Sequence, residues 1–285
     1  MKKIFSFAAV IIVTASVTLL LAAYFSDESP YPENVIQTKI TSAVLGQERE
    51  LIIHLPRNYD STLRYPVMYV LDGGSEDQHM ANKLDILSVA GQVPPLIVVG
   101  IPNMTNENRQ TNLTPPFMRI DNDDEKSATG DADRFLSFIE KELIPFIDQH
   151  YATSEKRLIS GNSRGGLLVM YSLIAKPDLF QARFCYSAPF WRQDAVMVTK
   201  VDEFMASQDT LSTFLYMSAG SSETDNIKMG VDKMDKMLKA NAPQGFTWNT
   251  YYTANAIHQN NARISSAQGI ALWGEYERMK RDKRK

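Results

Sequence analysis

Leu158-Ile-Ser-Gly-Asn-Ser163-Arg-Gly-Gly-Leu167 places a serine inside G-x-S-x-G, between a short apolar strand at 157–160 and the apolar run Leu167-Leu-Val-Met-Tyr-Ser-Leu-Ile174. A serine hydroxyl attacks carbonyl carbon poorly unaided, so an acyl-transfer enzyme exposes Oγ at a sharp strand-to-helix turn and sets a base beside it. Gly161 and Gly165 flank the turn, and the pattern expects both to be bare so that helix and strand can approach. The helix N-terminus also aims free N–H groups at developing negative charge. Without that context the motif is short enough to arise by chance in any loop.

Working outward, the chain alternates strand-like and helix-like segments. Residues 35–42 and 48–54 read as a hairpin around Leu45-Gly46 at a sheet edge. Residues 66–71 and 96–101 are short, continuous and β-branched, as central strands buried on both faces should be. A crossover helix is expected at 79–89. Phe135, Phe138, Ile139, Leu143 and Phe146 recur at helical spacing within 131–150, where Pro145 should kink or end the regular part. Further strands are expected at 184–187, 214–219 and 247–252, and helices at 226–239 and 269–281. This order predicts an α/β fold, a mostly parallel central sheet with helices on both faces and an antiparallel N-terminal edge.

A serine nucleophile needs a base, which in this architecture follows the final strand. His258 stands there, in Ala254-Asn-Ala-Ile-His258-Gln-Asn. His54, His79 and His150 lie at an edge strand, a crossover helix and a helix end, positions that suit a base less well. The acid that fixes the imidazole tautomer should follow the preceding strand, and Gly220-Ser-Ser-Glu223-Thr-Asp225 offers two carboxylates. Glu223 is favoured, because Asp225 is well suited to capping the next helix, and Asp225 stays the alternative. For an oxyanion hole, the N–H of Arg164 and that of Gly73, with Gly74 next, are the expected donors. A plain tight turn at Asp72-Gly73-Gly74 is the competing reading.

Of the 285 residues, 44% are apolar and 22% charged, ordinary values for a globular chain, and a net charge of -3 gives no reason to expect a nucleic-acid partner. The basic end Met279-Lys-Arg-Asp-Lys-Arg-Lys285 reads as a solvated helix terminus. Cys185 is the single cysteine, so an intramolecular disulfide is excluded, and it is expected to pack as a small hydrophobe. The four histidines lack metal-ligand spacing, so neither metal nor other cofactor is expected. Lys2 and Lys3 precede the apolar run 4–25, which is followed by Ser26-Asp-Glu-Ser-Pro30. Residues 1–25 therefore read as a signal peptide or a retained membrane anchor, placing the catalytic domain 26–285 in the periplasm, outside the cell, or tethered to the membrane. Nothing in the sequence marks an oligomeric state.

Several segments together resemble the esterase family of α/β-hydrolases that includes enterochelin (siderophore) esterases and S-formylglutathione hydrolase. They are Leu55-Pro-Arg-Asn-Tyr59, Tyr65-Pro-Val-Met-Tyr-Val-Leu-Asp-Gly73, Asn108-Arg-Gln-Thr-Asn-Leu-Thr-Pro115, Gly130-Asp-Ala-Asp-Arg-Phe-Leu136, Glu142-Leu-Ile-Pro-Phe-Ile147, Gly161-Asn-Ser-Arg-Gly-Gly166, Ser187-Ala-Pro-Phe-Trp191 and the Glu223 and His258 loops. The resemblance implies a triad of Ser163, His258 and Glu223 or Asp225, acting on a small-molecule ester. It also implies that Asn103, Arg109, Phe190 and Trp191 line the acyl or leaving-group pocket. Two departures stand out: Asn162 where many relatives have His, and Ile257 where Gly commonly precedes the catalytic His. The expected activity is ester hydrolysis through an acyl-enzyme. An acyltransferase using the same residues, and a membrane-tethered binding protein without turnover, are the alternatives. Export would remove the chain from cytosolic glutathione thioesters and leave nutrient, siderophore or envelope esters as substrates.

Overall fold

The computed structural model of the protein describes residues 32–282. The signal or anchor segment expected at 1–25 lies outside them. Among the described residues no helix is long and apolar enough to cross a membrane.

Among the described residues the strands are β1 (Val35–Ser42), β2 (Gln47–His54), β3 (Tyr65–Leu71), β4 (Ile97–Ile101), β5 (Thr153–Asn162), β6 (Ala182–Tyr186), β7 (Phe214–Gly220) and β8 (Thr247–Thr253). They form one sheet in the order β1-β2-β4-β3-β5-β6-β7-β8. From β4 to β8 every pairing is parallel, while β2 runs antiparallel to β4. This is the α/β sheet with an antiparallel N-terminal edge that the strand pattern predicts. The two-residue period of a strand decides the layers. Val67, Tyr69 and Leu71 of β3 enter one core, and Met68 and Val70 enter the other.

The helices are α1 (Asp77–Val89), α2 (Asn106–Asn112), α3 (Ala132–Phe138), α4 (Ile144–His150), α5 (Arg164–Ala175), α6 (Arg192–Ala206), α7 (Asp225–Asn241) and α8 (Asn261–Asp282). Phe135, Leu168, Met197 and Met234 bring α3, α5, α6 and α7 into the first core. Met80, Leu84, Ile270 and Trp273 bring α1 and α8 into the second.

Three expectations change. The regular helix expected at 131–150 is interrupted ahead of Pro145 rather than at it: α3 ends at Phe138 and is joined to α4 by a π-turn, Ile139–Leu143, in which the Ile144 N–H donates to Ile139 O five residues back. Widening the turn just ahead of the proline lets the chain pass it, with Pro145 in the first turn of α4. The last helix starts at Asn261, not 269. Gly269 marks a contact, since a Cβ there would lie 2.6 Å from the Tyr216 ring. Finally, α6 was not expected from the pattern, although Met197, Val201 and Met205 recur every fourth residue and are buried. Its entrance is a left-handed turn, with φ of 48°, 56° and 60° at Gln193, Asp194 and Ala195.

Two buried polar groups knit the layers. Arg183 is fully buried and donates to the carbonyls of Ser172, Lys176, Pro177 and Phe180 and to the hydroxyls of Ser172 and Thr213. Its charge faces the carbonyl end of α5, where the helix dipole favours a cation. Cys185 is buried against α5, its thiol donating to Gly166 O.

Candidate functional site

The loops that follow β5, β7 and β8 converge at the carboxyl ends of neighbouring parallel strands, where open α/β sheets place their ligand crevices. Ser163 sits between β5 and α5 with φ 56° and ψ −119°. A non-glycine residue is strained there by about 1–3 kcal/mol, and the strain lifts its side chain out of the strand. Its N–H is tied to Tyr186 O at 2.8 Å. The close approach expected at both flanking glycines holds at Gly161, where a Cβ would lie 2.5 Å from the Gly165 carbonyl carbon. Gly165 is less confined, its nearest neighbour being a carboxylate oxygen of Asp72 at 3.4 Å.

His258 Nε2 lies 2.9 Å from Ser163 Oγ, and its Nδ1 lies 2.8 Å from Glu223 Oε2. An ionised carboxylate only accepts, so Nδ1 carries the proton and Nε2 is left to accept from the serine. Glu223 Oε1 accepts from Ser187 Oγ at 2.6 Å and from the Gly220 N–H at 2.7 Å. Burial raises the Glu223 pKa; the hydrogen bonds from His258, Ser187 and Gly220 outweigh it and hold the carboxyl below its ordinary value. Asp225 takes no part in this relay. Its side chain is 90% exposed, beside Lys228 at 3.1 Å, and it is the first residue of α7, after Thr224 at the cap.

A support that sequence reasoning missed lies beneath the carboxylate. Asn261, fully buried at the start of α8, donates to Ser187 Oγ at 2.9 Å and to Ser218 Oγ at 3.1 Å, and accepts from Thr253 Oγ1 at 2.6 Å. Ser187, held at φ 49°, passes that order on to Glu223. The nearest signal in the sequence was the polar pair Asn260-Asn261 immediately before an apolar-periodic run.

The other histidines are engaged elsewhere. His54 is paired with Asp77 at 2.6 Å, His79 with Glu76 at 2.9 Å, and His150 with Phe146 O at 2.7 Å. The Gly73 expectation is corrected: its N–H already donates to Ile101 O at 3.0 Å, and a Cβ there would lie 2.5 Å from Ile101 N. Gly73 joins two strand ends closely and offers no free donor. The Gly74 N–H is likewise given to Asp77 Oδ1, at 2.6 Å. The N–H of Arg164, at the first position of α5, has no intrahelical partner to lose.

A cavity of about 410 Å³ opens beside Ser163, lined among others by Arg109, Arg164, Trp191 and Arg192. A second, of about 380 Å³, adjoins Asn162, Asn103 and Arg109. Of the pocket residues expected, Arg109 borders both, clamped by two nitrogens onto Asp72 at 2.6 and 2.8 Å, while Asn103 donates to the same carboxylate at 2.5 Å. Trp191 faces the first cavity. Phe190 does not: it is fully buried in the core, against which Trp191 also packs from the cavity side. Among the described residues no cluster of His, Cys, Asp and Glu could hold a metal ion.

The model of the family described as "Putative esterase" matches residues 42–275. The ferri-bacillibactin esterase BesA of Bacillus subtilis is 30% identical over 158 residues, 50% of this chain and 54% of that protein. Among solved structures, an IroE-like serine hydrolase from Shewanella oneidensis superposes with a TM-score of 0.77 at 29% identity, covering 85% of this chain and 80% of that one. The BES protein from Bacillus cereus, at 24% identity and TM-score 0.76 over 86% of this chain and 96% of its own, shares the fold.

Proposed function

The chain belongs to the "Putative esterase" family, and on that premise we propose that it hydrolyses carboxylic esters in two steps through an acyl-enzyme on Ser163. In the first step Oγ attacks the ester carbonyl carbon while His258 Nε2 takes its proton. The C–O bond to the alcohol then breaks, and the alcohol leaves with that proton. In the second step water attacks the acyl carbon and gives a proton to Nε2, Oγ is expelled and reprotonated, and the carboxylic acid departs. Glu223 orients the imidazole and stabilises its charged form. The N–H of Arg164 faces the developing oxyanion as one of its donors.

The observation that carries this reading is the unbroken relay from Ser163 Oγ to His258 to Glu223, at 2.9 and 2.8 Å. A fluorophosphonate probe tests it. Wild-type protein should label and Ser163→Ala should not; equal labelling of the two would remove Ser163 from the mechanism. The names of the relatives make siderophore esters the first natural substrates to try, scored as release of the acid product. The segment 1–25 serves, in this proposal, as an export signal or anchor ahead of a catalytic domain at 26–285. Cell fractionation with sequencing of the mature N-terminus tests that, and a cytosolic protein with an intact N-terminus would refute it.

A further inference from the structure

Two guanidinium groups in the wall of the Ser163 cavity lack a carboxylate in direct contact. Arg192 is 5% exposed, and its Nη2 donates to the carbonyls of Arg119 at 2.8 Å and Ile120 at 3.0 Å. Arg164 gives Nη1 to Thr114 Oγ1 at 2.6 Å and to Ile120 O at 3.1 Å. The three acceptors, with Ile120 O shared by both arginines, are uncharged. Among the described residues the arginines with a carboxylate ion pair are Arg109 and Arg157, not these two.

Comparison with the other arginines narrows the meaning. Arg183 is more deeply buried, yet all of its nitrogens find acceptors, at the end of α5, at Phe180 and at Thr213, so its charge has a structural use. Arg109 is matched by Asp72. Arg164 and Arg192 keep Nε and one terminal nitrogen each without a protein acceptor, and none of these atoms is sealed from solvent. The Trp191 Nε1–H, on the same cavity wall, is buried without a partner. The acids near these donors are the exposed Asp121, which lines the cavity, and the exposed Asp123; both act on Arg192 through space, and among the described residues neither forms an ion pair with it. Burial, then the neighbouring Arg192 and Arg109, push the Arg164 pKa down to about 10. Crowding by like charges thus adds to the larger effect of burial, and Asp121 offsets part of both.

A cation kept out of bulk water and unpaired is costly, and the same low dielectric strengthens its pull on any anion that enters. The planar fork of a guanidinium matches a carboxylate best. Building on the reading of Ser163 as nucleophile, we infer that the protein selects esters bearing an anionic group, a carboxylate or an anion of similar shape, held by Arg164 and Arg192 beside the ester bond. Arg192 is then a specificity-determining residue, touching the substrate away from the reacting atoms.

Matched ester pairs test this in two arms. On the acyl side, 4-nitrophenyl hemiglutarate is compared with 4-nitrophenyl pentanoate. On the alcohol side, 4-acetoxybenzoate is compared with its methyl ester. In at least one arm kcat/KM for the anionic ester should exceed that for its neutral partner by about tenfold or more at low salt, and the arm that responds identifies which side of the ester carries the anion. Arg192→Gln should bring the ratio towards one, and Arg192→Lys should restore part of it. A residue that merely braced the 119–120 loop would change both members of a pair alike. A ratio at or below one in both arms, or a ratio that Arg192→Gln leaves unchanged, overturns the inference. If neither neutral nor anionic esters are cleaved in a Ser163-dependent way, the hydrolase reading fails, and binding decides the inference by itself. Glutarate should then raise the Tm of Ser163→Ala protein more than pentanamide does, and lose that advantage when Arg192→Gln is added; no difference between the two compounds would overturn it.

Discussion

Glu223 and Asp225 stand two positions apart and meet opposite surroundings, the first buried against His258 and the second on the solvated start of α7. Glu223→Gln should lower kcat on 4-nitrophenyl acetate by about 10²- to 10⁴-fold, since the amide no longer enforces the tautomer that leaves Nε2 free. Asp225→Asn should stay within about twofold, because an exposed ion pair contributes little. The depressed pKa of Glu223 has a sign. Folding favours the ionised form, so its contribution to stability is complete above the ordinary value of 4.5 and is lost as pH falls through the lowered native value. Urea midpoints measured from neutral pH downward should therefore fall less steeply with acid in Glu223→Gln than in wild type. Ser163→Gly should raise the Tm while abolishing activity, because glycine adopts φ 56° without a Cβ penalty. At this scale Ser163 and His258 were legible because motif and chain order determine them. The choice between the two acids was legible only as a preference for Glu223 on capping grounds, since it depends on which way the loop 221–224 turns. Gly73 was misread because sequence does not reveal where a backbone N–H is already spent.

Among the elements, the central strands were readable because burial on both faces writes continuous apolar runs, as in Val67-Met-Tyr-Val-Leu71. Helices were readable where one apolar stripe dominates and obscure where polar residues carry the job. The first turns of α8 hold Asn261, Ser265 and Ser266, all buried and all polar, so the periodic signal starts late. The polar α2 is shaped by its cap, Thr105, whose hydroxyl accepts from the Asn108 N–H. The joint between α8 and the sheet rests on Trp273, fully buried beside Ile270. Trp273→Ala should cost about 3–5 kcal/mol in urea unfolding. Gly161→Ala would force β5 and α5 apart by its 2.5 Å contact. It should cost about 1–3 kcal/mol and lower kcat as well, because the displaced turn is the one that presents Ser163.

For the molecule as a whole, fold class followed from alternation along the chain, whereas the strand order and the cavity beside Ser163 did not. Its walls come from the 109–122 region, from α5 and from the turn before α6, three segments far apart in sequence. A chain of residues 26–285 should unfold in one transition and match the full-length kcat/KM, as expected if the catalytic unit is self-contained; a large loss of either would place part of the fold before residue 26. The linear order of the three relay residues has a consequence in time. Ser163 leaves the ribosome well before Glu223, and Glu223 before His258, while α8, which seats the Asn261 support, follows all three. On the mechanism proposed above, hydrolytic power is thus the last property the growing chain acquires. An interrupted or clipped product lacking the segment from 258 onward would carry the serine without its base, so an unfinished copy is disarmed before it can cleave anything.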